Sequence, residues 1–233
     1  MKMKYLNCMK ATFISRPNRF IAYCEIEGQE VKVHVKNTGR CKELLIPGVT
    51  VYLEHSDNPN RKTAYSLIAV QKGERLINMD SQAPNKVVYE ALQNGSLCLP
   101  GLEGTITLIR PEKTYKESRF DVYLETEVER AFVEVKGVTL EEDGIVRFPD
   151  APTERGKKHL YELMDASEKG YKAYVVFVIQ MEGVLYFTPN RITHAAFADA
   201  VAEVSRKGVQ ILAYDCQVTP DTLVLGQPVP VKI

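Results

Sequence analysis

The sequence predicts a mixed fold of two units: a small all-β barrel over residues 1–83 and an α/β unit over residues 84–233, built on a mixed sheet with helices on both faces. Two observations predict it. Short alternating runs broken by turn residues fill the first third of the chain, and beyond Pro84 helical periodicity alternates with strands. A chain of 233 residues can form two domains, and its 45% hydrophobic content is ample for a buried core.

Five strands are predicted in the first unit, over residues 11–15, 20–27, 30–35, 49–55 and 64–72. Turn sequences such as Asn37-Thr38-Gly39 and Asp57-Asn58-Pro59-Asn60 separate them. Five short strands in about 70 residues favour a barrel of the OB type, which commonly binds oligonucleotides or oligosaccharides.

The second unit is predicted to run helix, three strands, helix, strand, then further strand and helix. Asn85 is expected to cap the first helix, and Asn94-Gly95 to end it. Strands over 105–110, 120–126 and 131–139 form an antiparallel meander, and the next helix begins near Thr153 and ends at Gly170. The nearly unbroken apolar run 171–180 is typical of a strand buried on both faces. A strand over 184–188, a helix over 193–207 and a strand over 209–214 follow.

Charge is distributed unevenly along the chain. Residues 1–84 contain 13 Lys and Arg against 8 Asp and Glu, and residues 85–233 contain 17 against 22, so the two parts carry +5 and −5. A basic first part suits a polyanion and an acidic second part suits a metal site, although such imbalances are also ordinary between domains.

The sequence also argues against several function classes. The five cysteines include no Cys-x-x-Cys pair and are interpreted as reduced thiols. No apolar run is long enough for a signal peptide or a membrane span, so a cytoplasmic protein without a membrane partner is expected. There is no phosphate-binding loop, nucleophile elbow or Gly-x-Gly-x-x-Gly, which argues against a nucleotide cofactor, nucleotide hydrolysis and acyl transfer.

Asp121, Glu134 and Lys136 lie on two neighbouring predicted strands. Glu134 and Lys136 share a face because side chains alternate along a strand. Asp121 is expected to point away from Phe120 and Val122 and to lie beside Glu134 if the strands pair. Converging carboxylates need a cation, and Mg²⁺ is usually held by one or two carboxylates with water and substrate phosphate. The trio predicts a Mg²⁺ or Mn²⁺ site with Lys136 facing the phosphate; an edge strand with a solvated polar face would show the same pattern without chemistry.

Basic residues fall in or beside the predicted turns of the first unit, where a loop-built phosphate track needs them. Asn37-Thr38-Gly39 adds hydrogen-bond donors, although lysines in turns are often only solvated. The candidate nucleic-acid-binding residues of this unit are Arg16, Arg19, Lys36, Asn37, Thr38, Arg40, Lys42, Arg61 and Lys62.

The helix after Thr153 begins with a basic first turn. A helix N-terminus offers free N–H groups and the positive end of its dipole, so a phosphate is expected to bind there. The supporting residues are Thr153, Arg155, Lys157 and Lys158. The alternative is a solvated first turn that Thr153 merely caps. His159 is interpreted as a packed or hydrogen-bonded helix residue rather than a general base, because a metal already lowers the pKa of bound water.

The order of elements, with Asp121 on the second strand and Glu134-Val135-Lys136 on the third, resembles the PD-(D/E)XK nuclease superfamily. Phe120 stands where the superfamily's name has proline. The resemblance implies metal ligation by Asp121, Glu134 and an additional acid on the preceding helix, Glu90. It also implies the catalytic residues Lys136 and, from the following helix, Glu154 or Lys157.

Longer motifs cover nearly the whole chain and resemble the sugar fermentation stimulation protein family. They are Asn37-Thr38-Gly39-Arg40, Pro84-Asn85, Ser118-Arg119-Phe120-Asp121, Glu134-Val135-Lys136-Gly137-Val138-Thr139-Leu140 and the stretch 148–160, FPDAPTERGKKHL. The resemblance implies an OB-like N-terminal domain, a nuclease-like C-terminal domain and DNA binding.

The leading hypothesis is a DNA-binding protein, largely indifferent to base sequence, whose nuclease-like domain hydrolyses phosphodiesters with Mg²⁺ or Mn²⁺. A second hypothesis keeps the fold without the reaction, as a catalytically inactive DNA-binding regulator of sugar metabolism. A third is a barrel that binds a saccharide or another small ligand. DNA is the expected partner, and a homodimer is left open.

Overall fold

A computed structural model describes residues 3–37 and 39–233, in which three helices and sixteen strands form three sheets. The first seven strands are Met3–Lys4 (β1), Cys8–Ser15 (β2), Ile21–Ile26 (β3), Gln29–Val35 (β4), Thr50–His55 (β5), Tyr65–Lys72 (β6) and Arg75–Asn78 (β7). The second part contains Ala83–Gln93 (α1), Ile106–Tyr115 (β8), Ser118–Thr126 (β9), Arg130–Val138 (β10), Leu140–Glu142 (β11), Ile145–Phe148 (β12), Glu154–Glu168 (α2), Lys172–Ile179 (β13), Tyr186–Pro189 (β14), Arg191–Arg206 (α3), Gln210–Val218 (β15) and Thr222–Pro228 (β16).

Strands β2 to β6 form a closed five-stranded barrel. Their order is β4-β3-β2-β5-β6, and β6 closes the ring by pairing in parallel with β4. Alternate side chains point inward because a strand has a period of two, and Val33, Val35, Leu53 and Leu67 are accordingly buried. The predicted OB-type barrel is confirmed, and β7 continues the sheet beyond β6.

The second part is a seven-stranded mixed sheet in the order β1-β16-β15-β13-β10-β9-β8. Helix α1 packs on one face, and α2 and α3 pack on the other. Strand β13 lies between β10 and β15, parallel to both, and is buried on both faces. The predicted mixed sheet with helices on both faces is thus confirmed. The short β1, which the prediction placed in segment 1–83, pairs with β16 in this sheet rather than with the barrel.

The N-terminus of α1 lies close against β10. Gly137 makes this possible, because a Cβ there would approach Pro84 Cγ to 2.8 Å. The helix begins three residues earlier than predicted, with Gln82 at the N-cap and no side-chain capping bond. Asn85 is therefore not the cap; its side chain is free to bond elsewhere. Asn94 ends the helix as expected.

Polar contacts join the barrel to the second part of the chain, which also contains a three-stranded sheet in the order β11-β12-β14. Gln180 is 1% exposed and donates to Asn78 O, Asn78 Oδ1 and Asp80 O, while Asn78 N donates to Gln180 O at 2.9 Å. Glu141 on β11 accepts from Lys72 and Arg75 of the β6–β7 hairpin, at 2.6 Å each. The two parts are thus held together by buried, hydrogen-bonded side chains.

No helix among the described residues is long and apolar enough to cross a membrane.

Candidate metal centre and nucleic-acid surface

The candidate centre lies where β9 and β10 separate. Their antiparallel pairing runs from Arg130↔Glu125 to Val133↔Val122 and then stops. At the next position the Asp121 side chain replaces the backbone as partner, and its Oδ2 accepts from Val135 N at 2.7 Å. Its Oδ1 accepts from Asn85 Nδ2 at 2.7 Å. The start of α1 and the end of the β9–β10 pairing therefore fix this carboxylate from two sides.

Asp121 does not point away from both neighbours, contrary to the expectation from strict alternation. Phe120 packs with the residues beneath α2, with its ring 6.0 Å from that of His159. Val122 belongs to the cluster beneath α1. The alternation fails because β8 is irregular opposite this point: Glu112 has φ +54° and no pairing with Asp121, although the flanking residues on both strands do pair. Such an irregularity re-aims side chains locally.

Glu134 has two carboxylate oxygens in different surroundings. Its Oε1 accepts from Lys136 Nζ and lies 2.6 Å from His159 Nδ1. Its Oε2 is buried and has no hydrogen-bond partner in the described structure. Lys136 follows two residues along the same face of β10, so the predicted pairing of these two side chains is present.

The hydrogen bonds assign the tautomer of His159. Arg155 Nε can only donate, and it lies 3.3 Å from His159 Nε2. Nε2 is therefore the acceptor, and Nδ1 carries the proton that is donated to Glu134. The neutral imidazole thus links the exposed Arg155 to the buried carboxylate.

The two acids differ in their electrostatics. Burial and the neighbouring charge of Glu134 raise the pKa of Asp121 to about 6, although Val135 N–H, Lys136 and Asn85 oppose the rise. Burial would also raise the pKa of Glu134, but Lys136 and His159 outweigh it and hold that pKa below its usual value. Both carboxylates are therefore ionised at neutral pH, and with one lysine between them the centre keeps a net negative charge.

This donor set fits a hard divalent cation. Carboxylate oxygens suit Mg²⁺, Mn²⁺ and Ca²⁺, and the unpartnered Glu134 Oε2 is a buried acceptor that such a cation would satisfy. Within residues 3–37 and 39–233 no three Asp, Glu, His or Cys side chains converge on one point as a complete ligand set. Glu90 lines a cavity of about 490 Å³ together with Asp121, and its role as a third ligand stays a prediction.

Helix α2 presents other residues to the centre than those predicted. Glu154 pairs with Lys157 at 2.8 Å and with His194 Nε2 at 3.1 Å, and its side chain is 74% exposed. Lys158 pairs with Glu117 at 2.6 Å. The structure therefore engages Glu154, Lys157 and Lys158 in surface ion pairs. The helical period explains this outcome, because Lys157 and Glu154 stand two and five residues from His159, away from the face that meets β10.

The first turn of α2 is capped by its own residue. Thr153 Oγ1 accepts from Gly156 N at 3.0 Å, and Thr153 N donates to His194 Nδ1 at 3.2 Å. Thr153 therefore caps the helix, as the alternative interpretation expected, and phosphate binding at this helix N-terminus stays a prediction. Arg155 uses only Nε internally, which leaves the rest of an exposed guanidinium available.

His159 is the contribution of α2 that the sequence interpretation underrated. The buried residues of this helix include Gly156, His159, Leu160 and Leu163, which follow the i, i+3, i+4, i+7 pattern of a packed face. That pattern is the signal that places His159 inward, toward β10. The interpretation as a hydrogen-bonded helix residue is correct, but its partner is Glu134.

Two family models match consecutive parts of the chain. The profile described as the "Sugar fermentation stimulation protein RE domain" matches residues 82–222, and the "SfsA N-terminal OB domain" matches residues 14–79. The chain belongs to the sugar fermentation stimulation protein family. The "Sugar fermentation stimulation protein homolog" of Clostridium beijerinckii is 58% identical over 221 residues, covering 95% of this chain and 96% of the relative. That of Desulfitobacterium hafniense is 57% identical over 231 residues, covering 99% of each.

A solved structure is also similar over its whole length. "The structure of Pyrococcus Furiosus SfsA in complex with Ca2+" covers 100% of both chains with a TM-score of 0.87 and 27% sequence identity. The family match and this structural similarity agree with the predicted OB-type barrel and mixed sheet.

Several basic residues of the barrel in this family member are used internally. Arg16 donates to the backbone oxygens of Gly39, Arg40, Arg19 and Asn37 at 2.7–2.9 Å and so organises the loop after β4. Lys36 pairs with Asp80 at 3.2 Å and Glu54 at 3.6 Å. Arg61 donates to Ser66 Oγ at 2.6 Å. Part of the donor capacity of Arg16, Lys36 and Arg61 is thus used within the protein, and direct DNA contact by these residues stays a prediction.

Other basic residues of the barrel are exposed. Arg19, Arg40 and Lys42 line a cavity of about 600 Å³ beside the Arg16-organised loop, and no hydrogen bond or ion pair joins their side chains to another described residue. Lys62 is exposed on a separate loop. Asn37 Oδ1 accepts from Gly39 N at 2.8 Å, and Thr38 lies outside the described residues. Among the predicted residues that the structure describes, Arg19, Arg40 and Lys42 thus form one exposed group and Lys62 stands apart from it.

Proposed function

We propose that this protein binds DNA and hydrolyses phosphodiester bonds with Mg²⁺ or Mn²⁺ at the Asp121–Glu134–Lys136 centre. The unpartnered Glu134 Oε2 carries the proposal. Buried polar atoms are nearly always hydrogen-bonded, and leaving one unsatisfied costs about 1–3 kcal/mol. Because His159 and Lys136 hold only Oε1, the other oxygen is left as an oriented ligand. The Ca²⁺ complex of the Pyrococcus relative supports binding of a hard cation.

Each residue of the centre has a distinct task in this proposal. Asp121 and Glu134 would hold the cation, which supplies an activated water and offsets phosphate charge when bound. Lys136 is 18% exposed and can place its ammonium against a phosphate oxygen. His159 fixes the orientation of Glu134, and Arg155 offers its free N–H groups to the phosphate backbone.

The barrel supports the proposal through its exposed cations. Arg19, Arg40 and Lys42 stand together on one loop-rich surface. Phosphate contacts of this kind bind DNA without reading its sequence and weaken steeply as salt increases. The proposed DNA binding is therefore largely sequence-independent.

A regulatory role is the second candidate, and the names of the curated relatives favour it. Those names record a stimulation of sugar fermentation. A protein that binds DNA through the barrel without cleaving it could act in this way, since a fold does not determine its chemistry.

The test joins cation binding to cleavage. Single- and double-stranded DNA and RNA are incubated with Mg²⁺ or Mn²⁺ and wild type, Glu134→Gln, Lys136→Ala or Glu154→Gln. Calorimetry measures cation binding in parallel. We expect Glu134→Gln to lose cation binding and cleavage, Lys136→Ala to lose mainly cleavage, and the surface control Glu154→Gln to match wild type.

Two results would contradict the proposed reaction. Cleavage that persists in Glu134→Gln would come from elsewhere. DNA binding by the wild type without cleavage of any substrate would select the regulatory candidate.

A further inference from the structure

The residues that line the cavity of about 490 Å³ beside Asp121 differ from those of a phosphate-binding site. Helix α1 contributes Lys86, Tyr89 and Glu90, and β8 contributes Pro111 and Glu112. With Asp121 this gives three carboxylates against one lysine. A second phosphate would be repelled here, whereas a neutral ring with hydrogen-bond donors would be accepted.

The walls of this cavity suit a flat ring. Tyr89 is half-buried and packs against the apolar cluster beneath α1, so its ring is held in place while it lines the cavity. Pro111 lines the same space from β8. Aromatic surfaces stack nucleobases of any sequence, and the volume lies within the range of sites for small molecules.

The backbone of β8 departs from regular geometry at this cavity. Glu112 has φ +54°, which is uncommon for a residue other than glycine, and it interrupts the pairing opposite Asp121. Irregularities of this kind cluster next to active sites, where they shape a wall or re-aim a side chain. The cavity is therefore a built feature of the centre rather than a gap between α1 and β8.

We propose that this cavity receives one unstacked nucleobase, adjacent to the phosphate at the metal centre, with Tyr89 as the stacking surface and Glu90 as an acceptor for base N–H groups. The proposal rests on the proposed nuclease function. It names the substrate class as DNA whose bases can leave the stack, namely single strands and frayed ends, because unstacking a base within a duplex is energetically unfavourable.

The test measures coupling between Tyr89 and a base. Full-length protein is titrated with a 12-nucleotide single-stranded DNA and with versions that each carry one abasic site, in buffer containing Ca²⁺. Wild type is expected to bind the version lacking the accommodated base about tenfold more weakly than intact DNA. Tyr89→Ala should bind both about equally, with the affinity that wild type shows for that abasic version. Tyr89→Phe, which keeps the ring, should behave like wild type.

The exposed Tyr161 on α2 provides a matched control, because it bonds to Glu203 and does not line the cavity. Tyr161→Ala should discriminate as wild type does. Equal wild-type binding of all abasic versions, or unchanged discrimination in Tyr89→Ala, would refute the base site while leaving metal-dependent cleavage intact. Failure of wild type to bind the intact DNA would overturn both proposals.

Discussion

Asp121 occupies a position that is unfavourable for its own charge. Burial and the nearby Glu134 raise its pKa to about 6, from 3.8 for an ordinary aspartate. The folded protein therefore binds this proton more tightly than the unfolded chain does. Stability falls as pH rises from about 4 to about 6 and is then unaffected by this group, because it is ionised in both states. A cation at the centre would offset the repulsion between Asp121 and Glu134. The electrostatic cost of this arrangement is therefore consistent with the proposed function.

Replacing Asp121 by asparagine should stabilise the protein in the absence of metal. We expect Asp121→Asn to raise the free energy of unfolding at pH 7.5 by about 1 kcal/mol, less than the full pKa shift implies because the site is partly solvated. The melting temperature should rise by about 2–4 °C. Added Mg²⁺ should stabilise wild type and leave the variant unchanged. Thermal melts in EDTA and in Mg²⁺ measure both effects; a variant that melts below wild type in EDTA would contradict the electrostatic account.

His159 should act on the cation through Glu134. Loss of its Nδ1 donor leaves Lys136 as the partner of Oε1, so the carboxylate is free to rotate. Because partners of metal ligands typically change affinity by about 10–100-fold, we expect His159→Ala to weaken Mn²⁺ binding by about tenfold or more. Calorimetry gives the affinity directly. His159→Asn, whose amide can replace the Nδ1 donor, should recover part of it, and equal weakening in both variants would point to packing instead.

At the scale of elements, local patterns predicted most of the fold. The alternation of apolar and polar residues predicted the five barrel strands, and the unbroken apolar run predicted the buried β13. The pairing of β1 with β16 joins the two ends of the chain through two residue pairs, and such short, distant contacts leave no periodic signal. The start of α1 was misplaced because Asn85 is a good capping residue, yet in the fold its amide bonds to Asp121.

Local sequence patterns likewise predicted only part of the candidate centre. Strand periodicity predicts that Glu134 and Lys136 share a face, whereas the orientation of Asp121 depends on the irregularity of β8 opposite it. The rotation of α2 about its axis decides which of its polar residues meets β10. The spacing of the buried residues, which include His159 and Leu160, indicates that rotation. The charged residues of the first turn do not indicate it. The internal role of Arg16 could not be predicted, because its acceptors are backbone oxygens brought together by the closed barrel.

The turn between β2 and β3 contains two arginines, Arg16 and Arg19, with different expected effects. Arg16→Lys should lower the melting temperature, since one ammonium cannot span four backbone oxygens as a guanidinium does. Arg19→Ala removes an exposed side chain and should leave stability within about 0.5 kcal/mol. In salt titrations of DNA binding, Arg19→Ala should reduce the slope of log K against log salt by about one. An unchanged slope would remove Arg19 from the DNA surface.

At the scale of the whole molecule, Glu141 joins the barrel to the second part of the chain through the three-stranded sheet β11-β12-β14. It is 3% exposed and accepts from Lys72, Arg75 and Gly144 N. Burial would raise its pKa, but these donors outweigh burial and lower it. Under the proposed function, this junction would hold DNA on the barrel in a fixed direction relative to the candidate centre rather than on a flexible tether.

This junction should make stability sensitive to acid. A lowered pKa in the folded state contributes stability above the ordinary glutamate value of 4.5, and that contribution is lost as pH falls below it. Glu141→Gln should therefore be less stable than wild type at pH 7, by about 1–3 kcal/mol, because Lys72 and Arg75 keep their charges without an ionic partner. The difference in unfolding free energy between wild type and Glu141→Gln should shrink as pH falls from about 4.5 to about 3.

Urea unfolding at pH 7 and at pH 3 tests the junction, with Glu142→Gln as the matched control. Glu142 is the adjacent exposed acid, whose bond to Arg147 is long at 3.4 Å, so its replacement should have little effect at either pH. If the barrel relies on the junction, Glu141→Gln should also broaden the unfolding transition or split it in two, because the two parts then unfold with less coupling. A variant as stable as wild type at pH 7, with one sharp transition, would show that the Glu141 contacts are not needed to join the two parts.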